Sequence, residues 1–277
     1  MFVYFPRHES EEALRSIAAS RGLEPWPTRD AAGASGDEIQ AWYGPAPAVP
    51  AVGDARDAGD VPATEGKLNA RRGRLLVFHG NGAYAVDRIY FVRGFHSVAE
   101  RYRWDVYLFE YPGYGARPGR PSERTIVDAA EQAARRLLAE EPEQPLFLLG
   151  ESLGSGVATQ VASRMPEAIA GIVLVTPFTN IVDVGAFFAP RFLVQLLIRD
   201  RYDSEAALTQ YDGPVAFRLA GRDRVVPTSL GRELHEGYHG PRQLRVDESA
   251  GHNTVDYSRV NPWWREVTEF LLEHVER

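Results

Sequence analysis

The amino-acid sequence predicts an α/β fold built on a mostly parallel, eight-stranded sheet, flanked by helices and carrying a small lid-like insertion. Three observations predict it. Short apolar runs alternate with helix-like segments along the chain. Several of those runs are continuously apolar, as strands buried on both faces of a parallel sheet are. One of them, ending at Leu149, turns through the Gly-rich stretch Gly150-Glu-Ser-Leu-Gly-Ser-Gly156 into a helix-like segment from Val157 to Met165. With 277 residues and 44% hydrophobic content the chain can bury a substantial core, and a single domain spanning 1–277 accounts for it.

The strands expected, in chain order, cover residues 1–5, 38–43, 74–78, 105–110, 146–149, 171–175, 215–220 and 243–246, with a helix closing the C-terminus. Between 44 and 72 the chain is rich in Ala, Pro, Gly and Asp and lacks hydrophobic periodicity, which predicts a flexible surface loop between the second and third strands. The 43 residues ahead of it are too few for an independent core. From 177 to 212 an insertion carries Phe178, Ile181, Val182, Val184, Phe187, Phe188, Phe192, Leu193, Leu196, Leu197 and Ile198. Ligands of such sheets bind at the carboxyl ends of the strands, so this insertion is a lid or acyl pocket, or else the buried side of one or two helices.

The formal net charge is −7, and the longest basic cluster is Arg71-Arg72-Gly73-Arg74, which argues against nucleic acid as a partner. No apolar run approaches the 18 or so residues that span a bilayer, and the N-terminus lacks the basic lead and long apolar core of a signal peptide. A cytoplasmic protein without integral membrane association is expected, of unknown oligomeric state. There is no cysteine, and no H-E-x-x-H or H-x-H cluster; His235 and His239, four apart, have no third ligand nearby in sequence, so neither metal nor cofactor is expected.

The heptad at 150–156 contains G-x-S-x-G between a strand and a helix, the context of a nucleophile elbow, in which small neighbours let a sharp turn hold its serine in strained geometry. About 0.1 accidental matches are expected in a chain of this composition, so the pentapeptide needs company. It has it. Asp223 follows the strand at 215–220, and His252 lies in the loop before the C-terminal helix, giving the order Ser, Asp, His. A serine hydroxyl is a weak nucleophile that needs a base working near neutral pH, which His252 would supply. Asp223 would hold the imidazole in one tautomer and stabilise its charged form. The backbone N–H groups of Leu153, after the nucleophile, and Asn81, in the loop His79-Gly-Asn-Gly82, are the expected oxyanion donors.

Competing assignments exist for several residues. Asp183 is the alternative acid, because Asp in a Gly-x-Asp turn is also an ordinary turn residue. His79, beside the oxyanion loop, is expected to shape it by hydrogen bonding. The stretch Gly80-Asn-Gly82-Ala-Tyr-Ala85 also imitates a dinucleotide fingerprint, with Glu110 as its acid. The separation of 110 − 80 = 30 residues exceeds the roughly 20 that fingerprint wants, and the reading leaves Ser152, Asp223 and His252 as coincidences.

On His79-Gly-Asn-Gly82, Glu110-Tyr-Pro-Gly-Tyr-Gly115, the heptad at 150–156, Thr176-Pro-Phe-Thr179, Gly221-Arg-Asp-Arg-Val-Val-Pro227 and Gly251-His-Asn253, the chain resembles the serine α/β-hydrolases. Within them it is most similar to the BEM46-like branch and the α/β-hydrolase domain-containing proteins 13 and 17. The resemblance runs from about Arg74 to the C-terminus and carries nucleophile, acid and base onto Ser152, Asp223 and His252. The scaffold hosts esterases, thioesterases, peptidases and perhydrolases, so the branch leaves the substrate open. The expectation is a hydrolase of small-molecule carboxylic esters or thioesters acting through an acyl-enzyme. A peptidase, amidase or perhydrolase on the same residues, or a non-catalytic binding scaffold, is the alternative.

Overall fold

The structure, a computed structural model, describes residues 3–29, 35–47, 71–98 and 102–275. Eight strands form one sheet: β1 (Glu24–Arg29), β2 (Ser35–Gly44), β3 (Arg71–Phe78), β4 (Tyr102–Phe109), β5 (Leu146–Glu151), β6 (Ile169–Val175), β7 (Val215–Ala220) and β8 (Arg242–Asp247). Their order is β1-β2-β4-β3-β5-β6-β7-β8. β2 is antiparallel to both its neighbours, and every pair from β4 to β8 is parallel. The helices are α1 (Glu11–Ser20), α2 (Ile89–His96), α3 (Glu123–Glu140), α4 (Leu153–Arg164), α5 (Ile181–Ala186), α6 (Arg191–Leu197), α7 (Ser204–Leu208), α8 (Thr228–Gly237) and α9 (Trp263–Val275).

The central strands are apolar on both faces because both faces are covered. In β3, Leu76 and Phe78 join one core with α3 and α4, while Leu75 and Val77 join another with α2 and α9. α3 meets the first core through Ile126, Ala130, Ala134 and Leu137, a helical stripe, and starts in a capping box formed by Ser122 and Thr125. On the opposite face Trp264 lies so close to Gly94 that a Cβ there would sit 2.2 Å from the indole.

Seven of the eight expected strands form; the one expected over 1–5 does not. Met1 and Phe2 lie outside the described residues, and Val3–Phe5 form no strand, ending against Pro6. The sheet edge is taken by β1, a strand that was not expected and that contains Pro25 and Pro27. Proline cannot donate to a ladder, and among the described residues β1 has one neighbour, β2, against which its register is irregular around Pro27. Trp26 anchors it, packed on Tyr107 and under the Arg136 guanidinium. The loop expected over 44–72 falls mainly on 48–70, outside the described residues; at its ends Gly44 closes β2, and Arg71 and Arg72 already belong to β3.

The 177–212 segment holds α5, α6 and α7. Only part of its apolar content is buried: Val182, Val194 and Ile198 form a small cluster, whereas Phe187, Phe188, Phe192, Leu193, Leu196 and Leu197 are exposed, Leu196 at 79%. No helix among the described residues is long and apolar enough to cross a membrane.

Candidate active site

β5 runs into α4 through Ser152, whose backbone sits at φ 53° and ψ −118°, a region that side chains other than glycine rarely occupy. The glycines on either side make the turn sterically feasible. A Cβ on Gly150 would lie 2.1 Å from the Gly154 carbonyl oxygen, and one on Gly154 would lie 2.1 Å from that of Phe78. Ser152 N–H donates to the Val175 carbonyl (2.9 Å), and its own carbonyl accepts from Ser155 N–H (2.8 Å), which pins the turn from both sides.

His252 and Asp223 arrive on two loops that are zipped together. Gly221 N–H donates to Asp247 O (2.9 Å) and Arg222 N–H to Ala250 O (2.8 Å), so the turns after β7 and β8 travel as a pair. Beneath them the fully buried Arg218 bridges Asp247 and donates to Asp256 O, with its guanidinium over the Trp263 ring at 4.2 Å. On this platform His252 Nε2 lies 3.0 Å from Ser152 Oγ, and its Nδ1 lies 2.7 Å from Asp223 Oδ2. The other oxygen, Asp223 Oδ1, accepts from the N–H groups of Val225 and Val226, both at 2.8 Å. The carboxylate is therefore held on both sides and the imidazole has one orientation. Asp183, the alternative acid, is elsewhere: it accepts from Thr179, Asn180 and Arg191 at the start of α5.

The loop after β3 faces the elbow. The backbone N–H groups of Asn81 and Leu153 have no acceptor among the described residues, and Leu153 is the first residue of α4, where helix N–H groups are unpaired and the helix dipole is positive. His79 is buried and spans the loop, its Nδ1 2.8 Å from Gly80 O and its Nε2 3.1 Å from Glu110 Oε1. The expected shaping role has this geometry. Glu110, the acid of the imitated dinucleotide fingerprint, is buried and committed to His79 and to Ala85 N–H (3.0 Å), so it faces no ribose.

Sequence reasoning missed Glu151, the unspecified position of the motif. Its Oε2 accepts from Arg88 Nε (2.7 Å) and Gly80 N–H (3.3 Å), and its Oε1 accepts from Tyr90 (2.7 Å) and Tyr257 (3.4 Å) hydroxyls. Burial alone would raise its pKa, but the Arg88 charge and the hydrogen bonds from Tyr90, Arg88 and Gly80 outweigh it and hold the carboxyl below its ordinary value. An ionised side chain next to Ser152 thus ties the turn to the loop before Asn81. Arg218 was also missed. A charged residue inside the apolar run Val215–Ala220 was the available signal for it, since a buried charge in a central strand requires a partner.

Residues 69–200 match the family described as serine aminopeptidase, S33 (Hydrolase_4). An uncharacterized protein of Mycobacterium tuberculosis is 33% identical over 201 residues, which cover 72% of this chain and 69% of that one. The human alpha/beta hydrolase domain-containing protein 17C is 29% identical over 185 residues, 66% of this chain and 53% of the relative, so the match spans about half of that protein. In overall fold, the Pyrococcus furiosus esterase PF2001 superposes with a TM-score of 0.65 at 15% identity, over 99% of this chain and 98% of the esterase. The chain has the α/β-hydrolase fold, belongs to one family with the Mycobacterium tuberculosis protein, and is similar to the serine aminopeptidase S33 family and to the alpha/beta hydrolase domain-containing proteins.

Proposed function

We propose that the protein is a cofactor-independent serine hydrolase that cleaves a carboxylic ester or thioester through an acyl-enzyme. The observation that carries this reading is the unbroken hydrogen-bonded chain from Ser152 through His252 to Asp223, ending on a serine in strained backbone geometry. In the first half-reaction Ser152 Oγ attacks the carbonyl carbon while its proton passes to His252 Nε2. Asp223 balances the imidazolium. The negative charge on the former carbonyl oxygen falls between the N–H groups of Leu153 and Asn81. Collapse of that intermediate breaks the bond to the alcohol or thiol, which leaves with the proton from Nε2, and water repeats the sequence on the acyl-enzyme. The 177–212 segment serves this reading as a lid over the acyl group; its exposed phenylalanines and leucines suit an apolar chain. That the Pyrococcus furiosus neighbour is named an esterase agrees with an ester substrate.

Treatment of the folded protein with a fluorophosphonate, read by intact mass and by locating the modified residue, is expected to add one phosphonyl group at Ser152. Well-folded protein that stays unlabelled would transfer the reading to a non-catalytic binding scaffold.

A further inference from the structure

Residues 3–7 lie across the oxyanion loop and make contacts that neither the strand expected there nor the hydrolytic reaction uses. The Asn81 side chain acts as a piece of backbone for this segment. Phe5 N–H donates to Asn81 Oδ1 at 2.9 Å, and Asn81 Nδ2 donates to Val3 O at 2.5 Å. The same Oδ1 accepts from the Tyr114 hydroxyl (2.8 Å) and from Gly82 N–H (3.0 Å). Further ties fix the segment on either side. Gly115 N–H donates to Arg7 O (2.8 Å), while the Arg7 guanidinium sits over the Tyr84 ring at 4.5 Å. Tyr4 reaches the other way, its hydroxyl 3.1 Å from that of Tyr202, and Val3 packs on the Val182, Val194 and Ile198 cluster of the 177–212 segment.

We propose that Val3–Phe5 form a positioning strap that clamps the Asn81 side chain through the Phe5 N–H and the Val3 carbonyl, and so aims the Asn81 backbone N–H at the oxyanion. The inference rests on the serine-hydrolase reading above. Its physical basis is that an oxyanion donor acts only when pre-set, because reorganising it during the reaction consumes the stabilisation it gives. Asn81 lies in a turn outside any helix or strand, and the next residue, Gly82, has φ 72°. Among the described residues no ladder of backbone hydrogen bonds fixes the loop at that point, and the side-chain clamp takes its place. Because Val3 and Tyr4 also touch the 177–212 segment, the strap connects that segment to the oxyanion loop.

The decisive variant is Phe5→Pro, which deletes the N–H that Asn81 Oδ1 accepts. Phe5 already precedes Pro6, which favours the extended conformation that proline also adopts. Expected for p-nitrophenyl ester turnover is a fall in kcat of at least about tenfold with KM within about twofold, less than the roughly 10²–10³ of losing an oxyanion donor outright. The affinity for a trifluoromethyl ketone, whose adduct carries the oxyanion, should fall in step with kcat. Phe5→Ala, which keeps the N–H, should stay within about twofold of wild type. Asn81→Asp, which keeps Oδ1 but sets an acceptor against the Val3 carbonyl, provides a second route should Phe5→Pro fold poorly. The double variant should be scarcely worse than the more damaging single one, since both open the same clamp. Wild-type kcat in Phe5→Pro and Asn81→Asp, or losses in KM as large as in kcat, would overturn the strap. A wild-type protein that neither labels at Ser152 nor turns over ester would instead remove the hydrolase reading beneath it.

Discussion

Ser152→Ala and His252→Ala should each lower ester turnover by about 10⁶, and the double variant should be scarcely worse than either, because in the proposed mechanism the two side chains act as one device. The geometry sets that expectation: Oγ has no other base within hydrogen-bond distance among the described residues, and Nε2 has no other partner than Oγ. Measured kcat values for the three variants, alongside circular dichroism to show that the fold persists, test it; small and additive losses would contradict the mechanism. The elbow adds a stability readout that distinguishes it from an ordinary turn. Holding a serine at φ 53° costs on the order of 1–3 kcal/mol, and alanine inherits that cost. Glycine does not, while its extra freedom in the unfolded chain costs only about 0.5–1 kcal/mol. Ser152→Gly should therefore melt above Ser152→Ala although both are inactive. The reverse order would mean that the turn stores no strain.

The parts of the site legible in the sequence are those that backbone collisions or chain order dictate. Gly150 and Gly154 could be read because any Cβ there meets backbone at 2.1 Å, so the motif is a steric requirement. The order of Ser152, Asp223 and His252 follows from strands that were continuous apolar runs, and those runs are continuous because both faces of the sheet are covered. What escaped has a different cause. β1 was hidden by Pro25 and Pro27, whose exclusion from strands holds for central positions and lapses at an edge. Val3–Phe5 look like a strand in composition, yet their hydrogen bonds go to the side chain of Asn81, which no periodicity reveals. In the 177–212 segment the apolar residues were weighed as a lid or as buried helix faces. Val194 and Ile198 go inward while Phe192 and Leu196 stay outward, and an apolar residue on each side of a short helix carries no moment from which to choose.

Glu151 illustrates the hardest case, since a residue free to vary within a motif is silent until its neighbours are seen, and its pairing with Arg88 makes a second large effect. Arg88→Met keeps most of the side-chain volume and leaves the buried carboxylate facing two tyrosine hydroxyls and one N–H without a countercharge. Breaking a buried pair in this way costs about 3–5 kcal/mol; with side chains 16% and 13% exposed, the lower end applies here. The sign of the pH dependence separates this cause from loss of packing. In the wild type Arg88 and the hydrogen bonds hold the Glu151 pKa below its ordinary value, so its contribution is present above the carboxylate range and is lost as pH falls through the depressed value. In Arg88→Met the burial that raises the pKa is opposed by the Tyr90 and Gly80 hydrogen bonds without the Arg88 charge, so the ionised carboxyl costs more than it does in the wild type. The gap in melting temperature between wild type and Arg88→Met should then be wider at pH 8 than at pH 5, and Arg88→Met/Glu151→Gln should recover part of it. A gap independent of pH would show that Arg88 contributes only its volume. Because Glu151 also accepts the Gly80 N–H, the single variant should lose turnover at temperatures where it is still folded, through a loop no longer held against the elbow.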